Sequence, residues 1–306
     1  MQRPLVVRAP AKINLGLRVL ARRADGYHEI ESLFVPLSLA DEVRLTPNPV
    51  PGVRLRVSGD PAVAADASNL AWRAAAAFLA EPGAAGGVDL QLAKRIPAPG
   101  GLGGGSSDAG AVLRGLARLQ PDAVPAARLA ALALALGADV PYFLDPVPAL
   151  VEGIGERISP VRGLPRLWLA LGHPGTALAT PAVFRAYDVG PPGGPDSLTG
   201  PGPRPTIRRL LALRGQDACT GFFDEPRAAE WLPLLANDLE PAAIRLCPEV
   251  AGLREEFEAT GALAVGMSGS GPTVYGIHPD EAGARRAADR VAGRTGHRTW
   301  VVRTAP

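Results

Sequence analysis

Apolar side chains occupy every second position from Leu5 to Val19, which predicts a β-strand, because successive side chains on a strand point to opposite faces. The apolar positions are Leu5, Val7, Ile13, Leu15, Leu17 and Val19. Lys12 and Asn14 lie between them and share one face of the predicted strand. Two polar side chains of different chemistry on one face indicate either a solvent-exposed surface or a functional site.

Further along the chain, apolar residues recur at spacings of three and four, which predicts helices. The longer predicted helices cover residues 69–79, 106–119, 126–136, 249–260 and 281–295, and shorter ones cover 206–213 and 226–235. Predicted strands cover residues 33–39, 43–57, 88–92, 149–151, 167–171 and 297–303, and a strand–turn–strand unit covers 262–277. The stretch 189–205 consists almost entirely of turn-forming residues and predicts a loop.

These elements alternate irregularly, without the regular strand–helix rhythm of a doubly wound sheet. The predicted fold class is therefore α+β. The chain of 306 residues is long enough for two domains. We predict an N-terminal domain of residues 1–158 and a C-terminal domain of residues 159–306.

Composition narrows the class of protein. The 32 basic and 30 acidic residues nearly cancel to a net charge of +2, which argues against nucleic acid as a partner. Two cysteines are too few for a disulfide framework or a zinc site. The N-terminus lacks the apolar core of a signal peptide, and no apolar stretch is long enough to span a membrane. We therefore expect a cytoplasmic protein.

A glycine-rich loop at residues 97–109, PAPGGLGGGSSDA, carries the clearest chemistry in the chain. Dense glycines leave backbone N–H groups open to an anion, and the helix that follows points its positive end at the same place. Ser106 or Ser107 is the predicted N-cap of that helix. The sequence therefore predicts a phosphate-binding loop, and the alternative is a glycine-rich turn without a ligand.

Neither of the two most familiar phosphate loops matches. A dinucleotide fingerprint starting at Gly101 needs a glycine where Ser106 stands. A Walker A loop needs a lysine at that same position. If the loop holds a nucleoside triphosphate, another residue must supply the positive charge.

Only two of the basic residues are lysines, Lys12 and Lys94. A lysine kept against so strong an arginine bias suggests a site where a compact ammonium is needed. Chance explains Lys94 as well as function does, whereas Lys12 lies in the polar face of the first strand. Asp139, in the segment GADVPYF after a predicted helix, is either a loop cap or a catalytic carboxylate.

Three segments together resemble the GHMP kinases: PAKINLGL at 10–17, the glycine loop at 97–109 and GMSGSGPTVYGI at 266–277. Within that superfamily, PAKINLGL together with DGYHEI at 25–30 and GADVPYF at 137–143 is most similar to the branch that phosphorylates 4-diphosphocytidyl-2-C-methyl-D-erythritol. The resemblance implies a two-domain α+β fold with an N-terminal ATP-binding domain and the active site in the cleft between the domains. It also implies ATP with Mg²⁺ as the cofactor, a small-molecule substrate with a cytidine diphosphate head, a role in non-mevalonate isoprenoid biosynthesis, and a monomer or homodimer.

The resemblance also implies roles for individual residues. Lys12 and Asp139 match the catalytic pair of the family. The residues implied to bind ATP are Pro97, Ala98, Pro99, Gly100, Gly101, Leu102, Gly103, Gly104, Gly105, Ser106 and Ser107. The residues implied to bind the substrate are Asn14, Tyr27, His28, Thr180, Phe184, Gly269 and Gly271. No protein ligand of a metal is assigned.

Three alternatives stay open at this point. The first is another GHMP kinase, acting on homoserine or mevalonate, which would not need a cytosine pocket. The second is a ligand-binding regulator on the same scaffold, which would not need both Lys12 and Asp139. The third, a dinucleotide-dependent oxidoreductase, is disfavoured by the failed fingerprint.

Overall fold

Strands and helices follow one another in an irregular order, as the sequence predicts. The computed structural model describes residues 3–98, 100–189, 207–208 and 236–305. The strands are β1 (Leu5–Arg22), β2 (His28–Asn48), β3 (Gly52–Ser58), β4 (Gly87–Ala93), β5 (Ala149–Gly153), β6 (Arg157–Pro160), β7 (Trp168–His173), β8 (Ala264–Met267), β9 (Val274–His278) and β10 (Arg298–Arg303). The helices are α1 (Leu70–Leu79), α2 (Gly104–Leu119), α3 (Ala126–Leu136), α4 (Thr180–Asp188), α5 (Glu240–Leu246), α6 (Glu249–Glu258) and α7 (Glu281–Thr295), with a 3₁₀ turn at Pro141–Leu144.

The predicted short helices at 206–213 and 226–235 and the predicted loop at 189–205 fall almost entirely outside the described residues. The longer predicted helices are all confirmed within a few residues at their ends.

The chain divides into two units, each made of several segments. Unit 1 consists of Met1–Ala11, Leu39–Ala98 and Gly103–Pro146, and unit 2 consists of Lys12–Ser38, Pro99–Leu102 and Val147–Pro306. A single cut after residue 158 does not reproduce these segments, because β1 and β2 each contribute residues to both units. The predicted domain boundary and the cleft between the domains stay predictions.

Unit 1 is a sheet covered by helices. β4 pairs parallel with β3 and antiparallel with residues 42–48 of β2. The apolar stripe of α2 is buried in this core, and α1 presents a similar stripe of small residues and one large side chain, Phe78. Burying such a stripe is what stabilises a helix of this length in a protein.

Unit 2 contains a four-stranded sheet with the order β10–β7–β9–β8, in which every neighbouring pair is antiparallel. Residues from β7, β8, β9 and helices α4 to α7 share one apolar core, in which Phe257 is fully buried. In the same unit, residues 30–34 of β2 pair antiparallel with β5, and β5 pairs antiparallel with β6.

Two strand predictions need correction. Residues 28–48 form one long strand rather than ending at 39 and restarting at 43, because Asp41 is buried and hydrogen-bonded instead of forming a solvated break. The interruption comes at 49–51, where Pro49 and Pro51 cannot donate to a strand ladder. β6 was not predicted, since it is short, largely exposed and lacks an apolar alternation.

Candidate active site

The second half of the glycine loop leads into α2 within unit 1. α2 begins at Gly104, and its N-cap is Gly103, which has a φ of 70° and no side-chain capping bond. The prediction of Ser106 or Ser107 as the N-cap is therefore wrong. Both serines lie in the first turn, where the Ser107 hydroxyl donates to the Pro10 carbonyl oxygen at 2.7 Å. With no side chain accepting bonds at the N-cap, the first-turn N–H groups suit an anionic ligand.

The first half of the loop belongs to unit 2. Gly101 has a φ of +70°, and a Cβ at this position would lie only 2.2 Å from the carbonyl oxygen of Ser268. A Cβ at Gly100 would meet Thr273 Oγ1 at 3.0 Å. Gly101 therefore packs directly on the second glycine-rich turn, residues 266–271, with no room for a side chain, and Gly100 packs closely on Thr273 and His173. Pro99 lies outside the described residues.

Lys12 lies in β1 beside this junction, also in unit 2. Its backbone N–H donates to the Leu102 carbonyl oxygen at 2.9 Å. Lys12 is only 3% exposed. Its Nζ donates to Asn14 Oδ1 at 2.6 Å and lies 4.6 Å from the ring centroid of Phe34. The polar face of the first strand is therefore buried rather than exposed to solvent, and its role as a functional site stays a prediction.

The amide of Asn14 is held in one orientation. Its Nδ2 donates to Ser32 Oγ at 2.7 Å, and that hydroxyl donates onward to the Gly16 carbonyl oxygen at 2.7 Å. Because Ser32 uses its proton on Gly16, it can only accept from Asn14, so Oδ1 must be the atom that faces Lys12. The Asn14 backbone N–H also donates to Ser268 Oγ at 3.2 Å.

The second glycine turn is fixed by a residue from another segment. Asn237 Nδ2 donates to the carbonyl oxygens of Met267 at 2.8 Å and Gly269 at 2.7 Å. Gly269 has a φ of +59°, and a Cβ there would lie 3.4 Å from Lys12 Nζ. The Ser268 hydroxyl donates to the Gly101 carbonyl oxygen at 3.0 Å. The turn therefore brings the glycine loop and Lys12 together in unit 2.

An aromatic group forms from β2 and α4. The rings of His28 and Phe184 stack at 4.8 Å with an interplanar angle of 19°. His28 Nε2 lies 2.7 Å from Asp188 Oδ1, so the carboxylate fixes the orientation of the imidazole. Tyr27, which precedes His28 and is also predicted to bind the substrate, is 60% exposed. Thr180, at the start of α4, hydrogen-bonds with Ser270 Oγ at 2.8 Å.

Asp139 belongs to unit 1, in the turn between α3 and the 3₁₀ turn, and its side chain is half-buried. Burial raises the pKa of the Tyr142 hydroxyl, and the negative charge of Asp139 raises that pKa further. The pairing of Asp139 with Lys12, which is in unit 2, stays a prediction.

Across the residues that the structure describes, no three or more His, Cys, Asp and Glu side chains gather in a group suited to a metal ion. None of the described helices is long and apolar enough to cross a membrane.

Comparison with known proteins decides the family. The family model for the GHMP kinases N terminal domain matches residues 69–146, and the model for GHMP kinases C terminal matches residues 221–297. A curated relative from Geobacter sulfurreducens, named 4-diphosphocytidyl-2-C-methyl-D-erythritol kinase, is 38% identical over 95% of this chain and 96% of its own length. A relative of the same name from Anaeromyxobacter dehalogenans is 43% identical over 95% of this chain and 86% of its own length.

The chain belongs to the GHMP kinases.

Solved structures agree with that family. A crystal structure of 4-(cytidine 5'-diphospho)-2C-methyl-D-erythritol kinase matches this GHMP kinase with a TM-score of 0.77 and 38% identity, over 99% of this chain and 100% of the other. A homoserine kinase from Cytophaga hutchinsonii matches with a TM-score of 0.70 at 18% identity, over 100% of this chain and 95% of the other, a likeness that shows the shared fold alone. The two-domain GHMP kinase assignment is therefore confirmed, and the oxidoreductase alternative is wrong.

Several residues of this GHMP kinase escaped the sequence prediction. Ser268 is not among the predicted site residues, although a serine inside a glycine-rich turn is a pattern that can indicate a site. Asn237 lies between the helices predicted at 226–235 and 249–260, and no motif surrounds it. Asp188 ends α4 without any motif around it. These residues act by contacts with distant segments, which spacing along the chain does not reveal.

Proposed function

We propose that this GHMP kinase transfers the γ-phosphoryl group of ATP to the 2-hydroxyl of 4-diphosphocytidyl-2-C-methyl-D-erythritol. The observation that carries the proposal is the buried Lys12 ammonium held beside the two glycine turns, in a chain whose phosphate loop lacks the Walker lysine. The names of the relatives that cover nearly the whole chain support this acceptor over homoserine or mevalonate.

The glycine loop fits a triphosphate. A side chain is excluded at Gly101 and would be crowded at Gly100, and α2 starts without a side-chain cap, so backbone N–H groups are the donors that an anion would meet. ATP supplies the phosphoryl group and Mg²⁺ neutralises part of its charge when both are bound. Residues 97–107 would hold the phosphates, mainly through their backbone.

Lys12 is proposed to stabilise the negative charge that builds up on the transferred group. A lysine withdrawn from water interacts more strongly with a phosphate than an exposed one does, because the surroundings screen less. Asn14 keeps the ammonium in place through the bond at 2.6 Å, and the orientation of that amide is itself fixed. Such preorganised charge is the main contribution that a protein makes to phosphoryl transfer.

Asp139 is proposed to orient the attacking hydroxyl and to accept its proton. The new bond forms between the hydroxyl oxygen and the γ-phosphorus, the bond from phosphorus to the bridging oxygen breaks, and the proton passes to the carboxylate. A positive charge in its vicinity would keep the carboxylate ionised, and Lys12 is the residue proposed for this role.

The cytidine head is proposed to bind at the aromatic group of unit 2. Phe184 and His28 already form a stacked pair, and Asp188 holds the imidazole so that its Nδ1 can face a base. Tyr27 offers an exposed ring that could stack on the other face of a base. Thr180, hydrogen-bonded to the second glycine turn, would line the same pocket. A cytoplasmic location and a monomer or homodimer belong to the same proposal.

A panel of acceptors tests the function. The purified protein is given ATP and Mg²⁺ with the cytidyl substrate, its uridyl analogue, homoserine or mevalonate, and ADP release is measured. We expect turnover with the cytidyl substrate and much less with the uridyl analogue. Turnover with homoserine or mevalonate, or ATP hydrolysis independent of any acceptor, contradicts the proposal.

A further inference from the structure

Lys94, the second of the two lysines, is buried between two carboxylates in unit 1. Its Nζ donates to Asp108 Oδ2 at 2.6 Å and also contacts Asp41 Oδ2. None of the three side chains is more than 3% exposed. Removing a lysine and two carboxylates from water costs desolvation free energy, which is offset only where the three groups attract and hydrogen-bond one another in good geometry.

The three residues hold the two ends of the phosphate loop. Asp41 Oδ1 accepts the backbone N–H of Ile96 at 2.9 Å and that of Arg95, the residues just ahead of Pro97. Asp108 follows Ser107 directly and lies in the first turns of α2. The Lys94 ammonium therefore links the segment that leads into the loop with the helix that follows it.

We propose that Lys94, Asp41 and Asp108 form a positioning cluster that sets the distance between the two ends of the phosphate loop and thereby the affinity for ATP. The inference rests on the proposed function for its ligand, since it deepens the role of the same loop. None of the three side chains is proposed to touch the reacting atoms.

The space around the Lys94 side chain fits an ammonium better than the larger guanidinium of an arginine. A Cβ at Gly104 would lie 3.4 Å from Lys94 Nζ and 3.1 Å from Ile96 Cγ2, so the ammonium fills the gap beneath the first turn of α2. A planar guanidinium is larger and presents its donors in a fork, which two carboxylates on different elements do not match.

The charges of the cluster balance if it holds one extra proton. Burial raises the pKa of Asp108 to about 8, with the Lys94 charge opposing this shift and the Asp41 charge adding to it. Burial by itself would lower the pKa of Lys94, but the two carboxylates outweigh it and raise that pKa. Asp108 Oδ1 has no hydrogen-bond partner among the described residues. A neutral carboxyl beside an ion pair leaves no net charge buried under the loop.

The test compares Lys94→Met and Lys94→Arg with wild type in steady-state kinetics. We expect the KM for ATP to rise by on the order of tenfold or more in both variants, while the KM for the cytidyl substrate changes by less than about twofold. Asp108→Asn, which keeps an acceptor for the ammonium, is expected to retain clearly tighter ATP binding than Asp108→Ala. A purely structural role would not separate the two KM values or produce this rescue.

A matched control removes a different part-buried ion pair. Arg254 donates to Glu240 at 2.8 Å in unit 2. Neither residue of this ion pair belongs to the glycine loop. Arg254→Met should lower the thermal stability without changing the KM for ATP.

Direct binding of a non-hydrolysable ATP analogue, measured by calorimetry well below each melting temperature, keeps the inference independent of the acceptor. If wild type binds the analogue but does not phosphorylate the cytidyl substrate, the proposed function fails and the cluster is still tested. If Lys94→Met does not fold, Lys94→Arg decides. Wild-type affinity in Lys94→Arg, or an equal rise of both KM values, overturns the proposal.

Discussion

Replacing Gly101 by alanine puts one methyl group where the glycine loop and the second glycine turn are in closest contact. The new Cβ would lie 2.2 Å from the Ser268 carbonyl oxygen and 3.1 Å from that of Gly271. Ordinary van der Waals contact begins near 3.4 Å, so one backbone must retreat by more than 1 Å. The Ser268 carbonyl also accepts the Gly271 N–H at 2.9 Å, and its movement would weaken that bond.

The expected loss of stability has two parts. A left-handed conformation costs a residue other than glycine about 1–2 kcal/mol, and Gly101 has a φ of +70°. Forcing a methyl group into a filled space costs about 1–3 kcal/mol more. The free energy of unfolding should therefore fall by about 2–5 kcal/mol. Because the loop backbone must shift by about 1 Å, kcat/KM for ATP should fall on the order of a hundredfold.

Gly296→Ala is the matched control. Gly296 ends α7 with nearly the same φ, +71°, but a Cβ there would meet nothing within 4 Å. The control therefore carries the backbone strain without the collision. Both variants are unfolded in urea, monitored by circular dichroism, and assayed for ATP turnover. If Gly101→Ala loses no more stability than Gly296→Ala and keeps its KM for ATP, the packing of the two glycine turns is not what shapes the phosphate site.

Four further predictions concern other parts of the molecule. Asp139→Asn should bind the ATP analogue normally and lose about 10²–10⁴-fold in kcat. Lys12→Arg should lose on the order of a hundredfold in kcat, because a guanidinium does not fit beside the glycine turns. Single-turnover kinetics measure both effects, and a near-wild-type rate in either variant shows that the replaced residue does not take part in the chemistry. Asn237→Ala leaves two buried carbonyls of the second glycine turn without their donor, so the free energy of unfolding should fall by about 2 kcal/mol or more, and an unchanged urea midpoint contradicts this. Burial raises the pKa of Asp108 to about 8 in the folded protein, against an ordinary value of 3.8. Between these two pH values the folded state binds a proton that the unfolded state has lost. The contribution of Asp108 to the free energy of unfolding should therefore fall as the pH rises, by up to about 1.4 kcal/mol per pH unit. The difference in unfolding free energy between wild type and Asp108→Asn, measured from pH 5 to 7.5, should show that slope. A difference that does not change with pH means that the Asp108 carboxyl holds no proton in the folded protein.

Local patterns in the sequence were enough to predict most elements of this fold. The alternation in β1 and the apolar stripe of α2 are properties of neighbouring residues, and both appear where expected. The predicted N-cap of α2 is wrong. Serine is generally a better N-cap residue than glycine, but here the chain turns into the helix at Gly103 with a positive φ. A rule about side chains could not show that the turn needed a residue without one.

Contacts between distant segments could not be predicted from spacing. Asn14 and Ser268 are 254 positions apart, and Lys94 and Asp41 are 53 apart. The scarcity of lysine distinguishes Lys94 in the sequence, whereas the two carboxylates around it are seen only in the structure. The proposed substrate and the proposed catalytic roles depend on the resemblance to a family, because packing alone does not indicate them.

Proton-coupled ³¹P NMR of the reaction product tests the central claim most directly. In 2-C-methyl-erythritol the carbon that bears the 2-hydroxyl also bears the methyl group and therefore has no hydrogen. A phosphate on that oxygen should give a new phosphomonoester singlet that grows as ADP forms. A doublet or triplet places the phosphate on another hydroxyl, and ADP formation without any new phosphomonoester means that no acceptor was phosphorylated; either result contradicts the proposed reaction.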